Sequence, residues 1–585
     1  MTQIATPETV IGNFDNVTLE LHDHTYRLFR RGDEFWVDMD DLDRRDSDQH
    51  GSDRSDGSVS DTSRVQRRIV QLTGSHHMQG YWYELNWDRY LGMLPFMYLE
   101  AERRWIPRHA AFLQPETDKI STERGRWNKH CLVCHATNAK PGLIPKPGSI
   151  VEGESYSIAA VNTTVSELGI ACEACHGPGE QHVRANQTPG RRYQLHLAEA
   201  RDDTIFNPAR VSARLSSQTC GQCHGIHLAG SFDDHVHHYQ HGHRFRPGSD
   251  FDKSGRVTVR PNQYPWPPVV EREVEHTPDY LKSSFWTDGM VRVSGREYNG
   301  LINTPCFQHD VESQKMSCLT CHEMHHQQHD GHSLDEWRDD QLKPEMRTNQ
   351  ACTQCHTAYE DNEQVTAHTH HAAHSTGSLC YNCHMSHTTY GLLKAIRSHT
   401  IDTPSVQTSL STGRPNACNQ CHLDKTMAWT AGRLEQWYGI ERPDLDDAES
   451  ATSAGVLWAL KGDAGQRALI AWSMGWAPAR EAAGTDWMTP YLGQLLADPY
   501  EAVRFIAYRS LQLQSGYEDF IYDFVGPPRS REMASDQVLQ IWSESLGDAT
   551  APAPELLIGT GGQLDRRKFQ QLLEERDDTQ LILNE

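Results

Sequence analysis

The hydrophobic rhythm of the chain changes twice, and the changes divide it into three parts. Between residues 10 and 39, apolar and polar positions alternate through "VTLEL", "YRLFRR" and "EFWVDM", separated by the polar turns "HDH" and "GD". A two-residue period belongs to a strand with one buried face, so these segments predict antiparallel strands. The rhythm stops at residues 40–64, "DDLDRRDSDQHGSDRSDGSVSDTSR", which are charged, serine-rich and almost free of large apolar side chains. That composition predicts a disordered insertion. Strand-like content returns in "RIVQLTGSHHMQGYWYEL", and "GMLPFMYLEAERRWIP" is expected to pair with it. Residues 1–115 therefore read as a small β-rich N-terminal part.

Residues 116–425 hold neither period for long, which predicts short helices joined by long loops. From residue 426 to 585 the spacing becomes helical in "TMAWTAGRLEQWYG", "AGQRALIAWSMGW", "WMTPYLGQLLADP" and "YEAVRFIAYRSLQLQ". "LGQLLADPYEAVRFIAYRSL" has the helix–turn–helix rhythm of HEAT-like repeats, with Asp498 and Pro499 as the break. This part reads as an α-helical, repeat-like C-terminal domain capping the rest.

Composition adds a difficulty. Only 37% of the 585 residues are hydrophobic and the mean hydropathy is −0.68, so the irregular middle part is poor in material for an aliphatic core. The net charge of −24 argues against nucleic acid as a partner and fits basic docking partners or plain solubility. No run of 18 apolar residues predicts a transmembrane helix. The N-terminal "MTQIATPETVIGNFDN" has neither the basic nor the apolar segment of a secretory leader.

Cysteine spacing resolves the difficulty. CxxCH occurs at Cys131, Cys134, His135; Cys172, Cys175, His176; Cys220, Cys223, His224; and Cys318, Cys321, His322. It recurs at Cys352, Cys355, His356; Cys380, Cys383, His384; and Cys418, Cys421, His422. Seven copies use fourteen of the fifteen cysteines, and every CxxC is followed by histidine. With 34 histidines in the chain, chance would put one at that place roughly one time in seventeen. Zinc ribbons and redox dithiols do not require it. Attachment of haem does: two thiols form thioethers with its vinyl groups, and the adjacent imidazole binds iron as proximal ligand. Seven covalent haem c groups would fill the middle part and make its folding depend on them. The expected fold is thus a mainly α and irregular multihaem cytochrome of residues 116–425, with the β-rich part before it and the helical part after. Haem is joined to CxxCH outside the bacterial cytoplasmic membrane, so the expected location is the periplasm or the cell-envelope exterior despite the missing leader.

Twenty-seven histidines remain, and some are expected to be second axial ligands. Iron held by two histidines suits electron transfer, whereas five-coordinate iron has a place for substrate. His182 follows a Gly-Pro-Gly turn after the second motif; His325 and His387 stand three residues after a proximal histidine. At that spacing they cannot readily cap the same haem, so each is expected to serve a neighbour. His371 precedes the sixth motif and His399 follows it; His76 and His77 would tie the β-rich part to the haems. His241 and His243 compete in "HGHRFRPG", where a solvent-facing metal-binding tract is an equal reading. Met324 and Met385 lie too near their own proximal histidines and read as packing. Cys306 reads as a buried cysteine without a catalytic setting.

"CEACHGPGEQH", "CLTCHEMHH", "HSTGSLCYNCHMSHTTYGLLKAIRSHTID" and "GRPNACNQCHLDKTMAW" resemble multihaem cytochromes related to the nitrifiers' tetrahaem carrier and hydroxylamine oxidoreductase. The similarity spans roughly residues 10–440 and is greatest to the branch with a C-terminal helical-repeat region. It implies closely stacked haems, with distal-ligand positions at His182, His325, His371 and His399, and at His77 less directly. That lineage also contains enzymes. No CxxCK motif marks a catalytic haem here, and none of the 20 tyrosines is identifiable as a cross-linking one. The leading expectation is an electron carrier between redox-partner proteins, with no catalytic residue assigned. The alternative is an oxidoreductase acting on a small nitrogen or sulfur compound at one five-coordinate haem.

Overall fold

The computed structural model describes residues 2–41, 63–74, 76–85, 89–117, 123–150, 157–326, 333–545 and 551–583. The predicted insertion at 40–64 lies almost wholly outside them. Contacts divide the chain into two compact units. One comprises residues 1–109, 117–211 and 227–257; the other comprises 110–116, 212–226 and 258–585. These limits differ from the divisions read from composition, because segments on either side of residue 425 pack together in the second unit.

The first unit contains an antiparallel sheet of eight strands: β1 (Thr2–Ile4), β2 (Val17–Leu21), β3 (His24–Arg31), β4 (Glu34–Asp40), β5 (Arg64–Thr73), β6 (Met78–Glu84), β7 (Leu91–Leu99) and β8 (Arg104–Pro107). Strands β2 to β8 neighbour one another in chain order, while β1 pairs with the far end of β5. The alternation read from sequence sets the faces. Phe35, Val37 and Met39 of β4 point into a core with Tyr26, Leu28, Ile69, Leu72, Tyr81 and Phe96, while Glu34 faces out. Phe35 registers with Ile69, and a one-residue slip would expose that whole row. Motifs one and two follow, on short helices Leu132–His135 and Cys172–His176.

The second unit holds motifs three to seven and the C-terminal helices. Ala464–Gly475, Thr489–Leu495, Glu501–Leu511 and Pro528–Ser545 pack on one another. The break at Asp498 is also an anchor. Its carboxylate accepts from Arg467 Nε at 2.6 Å and from the Tyr500 amide at 2.9 Å, and both members of the ion pair are buried to 1% exposure. Helix Ala464–Gly475 lies against the hairpin Thr389–Gly391/Lys394–Ile396 just beyond motif six, with Leu469 in a cluster with Trp286, Met290 and Ala395. The Leu423 carbonyl, next to motif seven, accepts from the Gly455 amide. Among the described residues no helix is long and apolar enough to cross a membrane.

Candidate haem-ligating centre

Four motifs fold as a single helical turn around their cysteines: Cys172–His176, Cys318–Cys321, Cys380–His384 and Ala417–Cys421. A turn puts positions i and i+3 on one face, so both thiols can reach one ligand edge. Caps fix where the turn starts. Ser317 and Thr320 form a capping box ahead of Cys318, and Asn416 Oδ1 accepts from the Cys418 amide at 2.9 Å. None of the fifteen cysteines is in a disulfide.

Within the second unit, motifs three and four, five and six, and six and seven abut. The thiol of Cys318 meets that of Cys220, and that of Cys352 meets Cys380. Asn349, ahead of motif five, accepts from the Cys380 amide at 2.9 Å and donates to the Ser378 carbonyl. Gln420 of motif seven exchanges two 3.0 Å hydrogen bonds with the His387 backbone, just past motif six.

The motif histidines are oriented for metal. Nδ1 of His176, His322 and His384 lies 2.8, 3.0 and 2.7 Å from the carbonyl oxygens of Phe206, Asp340 and Asp402. A carbonyl only accepts, so Nδ1 carries the proton and Nε2 presents its lone pair. His224 differs: its Nδ1 is 2.8 Å from Oε2 of the half-buried Glu297, whose other oxygen accepts from the Gly295 amide at 2.8 Å. Burial pushes the Glu297 carboxyl up, but hydrogen bonding and charge from His224 outweigh it and bring it down to about 2.

Three ring pairs among the described residues join a motif histidine to one elsewhere. His322 and His399 have ring centres 6.2 Å apart and planes 19° apart; His384 and His368 are 6.2 Å and 7° apart; His422 and His371 are 6.0 Å and 27° apart. An imidazole nitrogen binds a first-row metal at about 2.0 Å and the ring centre lies about 1.1 Å behind it, so two rings on opposite sides of one iron stand about 6.2 Å apart. Each pair has the spacing of two axial ligands. The chain also makes room for them. His371 Nδ1 donates to the Thr369 carbonyl at 2.6 Å, and a Cβ on Gly377 would lie 2.2 Å from its ring. Helix Asn362–Thr369 carries His368, whose carbonyl accepts from the Tyr438 hydroxyl at 2.5 Å. Among the described residues no three His, Cys, Asp or Glu side chains converge on a point that could hold an ion.

The other distal candidates have different surroundings. In the first unit, His182 Nδ1 is 3.2 Å from Asp202, a carboxylate that also takes two hydrogen bonds from Arg191. His77 is half-buried with its ring against His76, and His241 is exposed beside His237. His243 stacks on His238 at 3.9 Å, too close for an iron between them. In the second unit, His325 and Met324 are exposed. His387 is buried, with Trp472 and Trp476 at 4.5 and 4.7 Å. Cys306 is half-buried, and burial raises its thiol pKa. His368 was not distinguishable by sequence within "HTHHAAH", since four histidines there fall within seven residues.

No protein-family model matches the chain, and no curated protein does. One solved structure, the crystal structure of outer cell wall cytochrome OcwA, superposes over 81% of this chain and 88% of that one, at TM-score 0.36 and 16% identity. A likeness of that degree does not establish a shared fold.

Proposed function

We propose that this chain is a heptahaem c-type cytochrome that carries electrons between redox-partner proteins in the periplasm or outside the cell. The observation that carries the reading is the set of three ring pairs at axial spacing, each built from a CxxCH histidine and one remote in sequence. Haem c would supply a one-electron iron couple at each motif. The chain's own part is to tether, orient and ligate. Paired cysteines on one turn fix the attachment edge, carbonyl-bound Nδ1 atoms hold the proximal imidazoles, and His399, His368 and His371 close the opposite side at motifs four, six and seven. With both histidines of each pair bound to iron, no place for substrate would remain there, which favours transfer over catalysis at those three centres. The abutting pairs, motifs three with four and five with six and seven, support transfer between neighbouring centres within the second unit. The helical region beyond residue 426 is read as HEAT-like packing that braces motifs six and seven.

The test is mass and spin state of the exported, matured protein. Seven added haems with low-spin iron at motifs four, six and seven are expected. A mass showing no haem, or high-spin iron at all three, refutes the proposal. A high-spin centre elsewhere would mark the site for the oxidoreductase alternative.

A further inference from the structure

Three charged side chains in the second unit touch the ligation motifs directly: Glu297 at motif three, Lys343 at motif four, where its Nζ donates to the Leu319 and Thr320 carbonyls at 2.6 and 3.3 Å, and Arg397 at motif six. Glu297 accepts from Nδ1 of the motif-three histidine, whereas the corresponding partners of His322 and His384 are neutral carbonyls. Arg397 grips motif six. Its Nη1 donates to the Tyr381 and Met385 carbonyls at 2.9 and 3.2 Å, its Nη2 donates to Asn382 Oδ1 at 2.6 Å, and its guanidinium lies 4.4 Å from the Tyr381 ring centre. Tyr381 and Asn382 are the two residues between the motif-six cysteines. The oxygens that Arg397 meets are carbonyl and amide oxygens, so its charge is not cancelled by a carboxylate in contact.

We infer that Glu297 and Arg397 are fixed opposite charges that grade the redox potential within the second unit, low at motif three and high at motif six, with Lys343 adding a cation at motif four between them. The inference rests on the haem-binding reading above. A carboxylate on Nδ1–H gives the imidazole anionic character and greater basicity, which stabilises ferric iron and lowers the potential. A cation held in a partly desolvated place stabilises ferrous iron and raises it. Both groups act through position, and neither touches a substrate. The consequence is polarity: electrons entering at motif three would come to rest toward motif six.

The experiment is a potentiometric titration of the full, haem-loaded chain followed by electron paramagnetic resonance, with haem content determined by mass on the same samples. Glu297→Gln keeps a hydrogen-bond acceptor and removes the charge. One component should then become at least tenfold more reduced at a given potential, an upward move of about 59 mV or more for a one-electron couple. Arg397→Gln keeps a donor for the carbonyls, and one component should move downward by a similar factor. Glu297→Asp and Arg397→Lys retain charge and should stay within a few-fold of the parent. Components that do not move, that move in the opposite sense, or that all move together overturn the inference. If Arg397→Gln does not accumulate, the Glu297 pair and the Arg397→Lys titration still decide the low and high ends. A parent chain without haem would sink the functional reading, whereas seven haems with unmoved potentials would sink only the grading.

Discussion

Gly377→Ala offers a stringent test of the axial pair proposed at motif seven, because it adds one methyl group and replaces no ligand. A Cβ built at Gly377 lies 2.2 Å from Cδ2, 2.5 Å from Cγ and 2.9 Å from Nε2 of His371. Ordinary carbon contacts begin at about 3.5 Å, so the ring would have to retreat by roughly 1.3 Å. An axial bond of about 2.0 Å cannot stretch that far and remain a bond. The ring cannot turn in place either, since Nδ1 is tied to the Thr369 carbonyl at 2.6 Å. One iron should therefore pass from low to high spin, with all seven haems still attached by their thioethers. Electron paramagnetic resonance counts the spin states, and intact mass counts the haems. His371→Ala should give the same signal. Gly300→Ala is the graded control: its Cβ would meet the backbone of Thr400 and His399 at 3.0 and 3.1 Å, a displacement of a few tenths of an ångström that should leave the His399 iron low-spin. An unchanged low-spin count in both Gly377→Ala and His371→Ala would refute His371 as a ligand, and with it the use of ring spacing to find ligands.

His368→Ala should likewise yield one high-spin iron, at motif six, and addition of free imidazole should return it to low spin; a spectrum identical to the parent removes His368 from the ligand set. Asp498→Ala strands the Arg467 guanidinium, 1% exposed, without its counter-charge, and should cost about 3–5 kcal/mol, read as a lower denaturant midpoint with haem content intact. Truncation after residue 440 removes Trp472 and Trp476 from His387 and Gly455 from Leu423, so haem at motifs six and seven should be incompletely incorporated; a truncated chain with seven haems would show that those contacts are dispensable. Replacing Cys418 and Cys421 with alanine should lower the intact mass by one haem while leaving the low-spin pair at motif four undisturbed.

What could be read in the sequence follows from the range over which each feature is determined. The strands of the N-terminal sheet are local objects: Phe35, Val37 and Met39 alternate because a pleat requires it, and the alternation survives in the bare string. CxxCH is more local still, because five residues on one turn carry the whole attachment geometry. Distal ligands are different. His399 reaches His322 across 77 positions of chain, and its place after the sixth motif nominated it without revealing which motif it serves. In "HTHHAAH" spacing carried even less information. His368 and His371 pair with different motif histidines, His384 and His422, because the helix Asn362–Thr369 ends between them and His370 takes the left-handed conformation that closes it. That turn aims one ring back at motif six and the next toward motif seven. Identity of residue could not reveal this, since His370, between them, stacks on Trp437 instead.

The same distinction explains why the helical tail looked separable. Composition changes sharply after residue 426, and the helices beyond it have enough buried leucine, alanine and tryptophan to suggest a core of their own. Yet His387 lies 4.5 Å from Trp472, and the motif-six hairpin packs on the helix that carries it. A chain with few aliphatic residues between its haem motifs must borrow apolar surface, and the nearest supply is this tail. The borrowed contacts fall at motifs six and seven, and Arg397 places its charge at motif six. There its guanidinium donates to the Tyr381 and Met385 carbonyls. The tail's role is thus tied to the polarity of the unit: loosening it should lower the potential at motif six before any haem is lost.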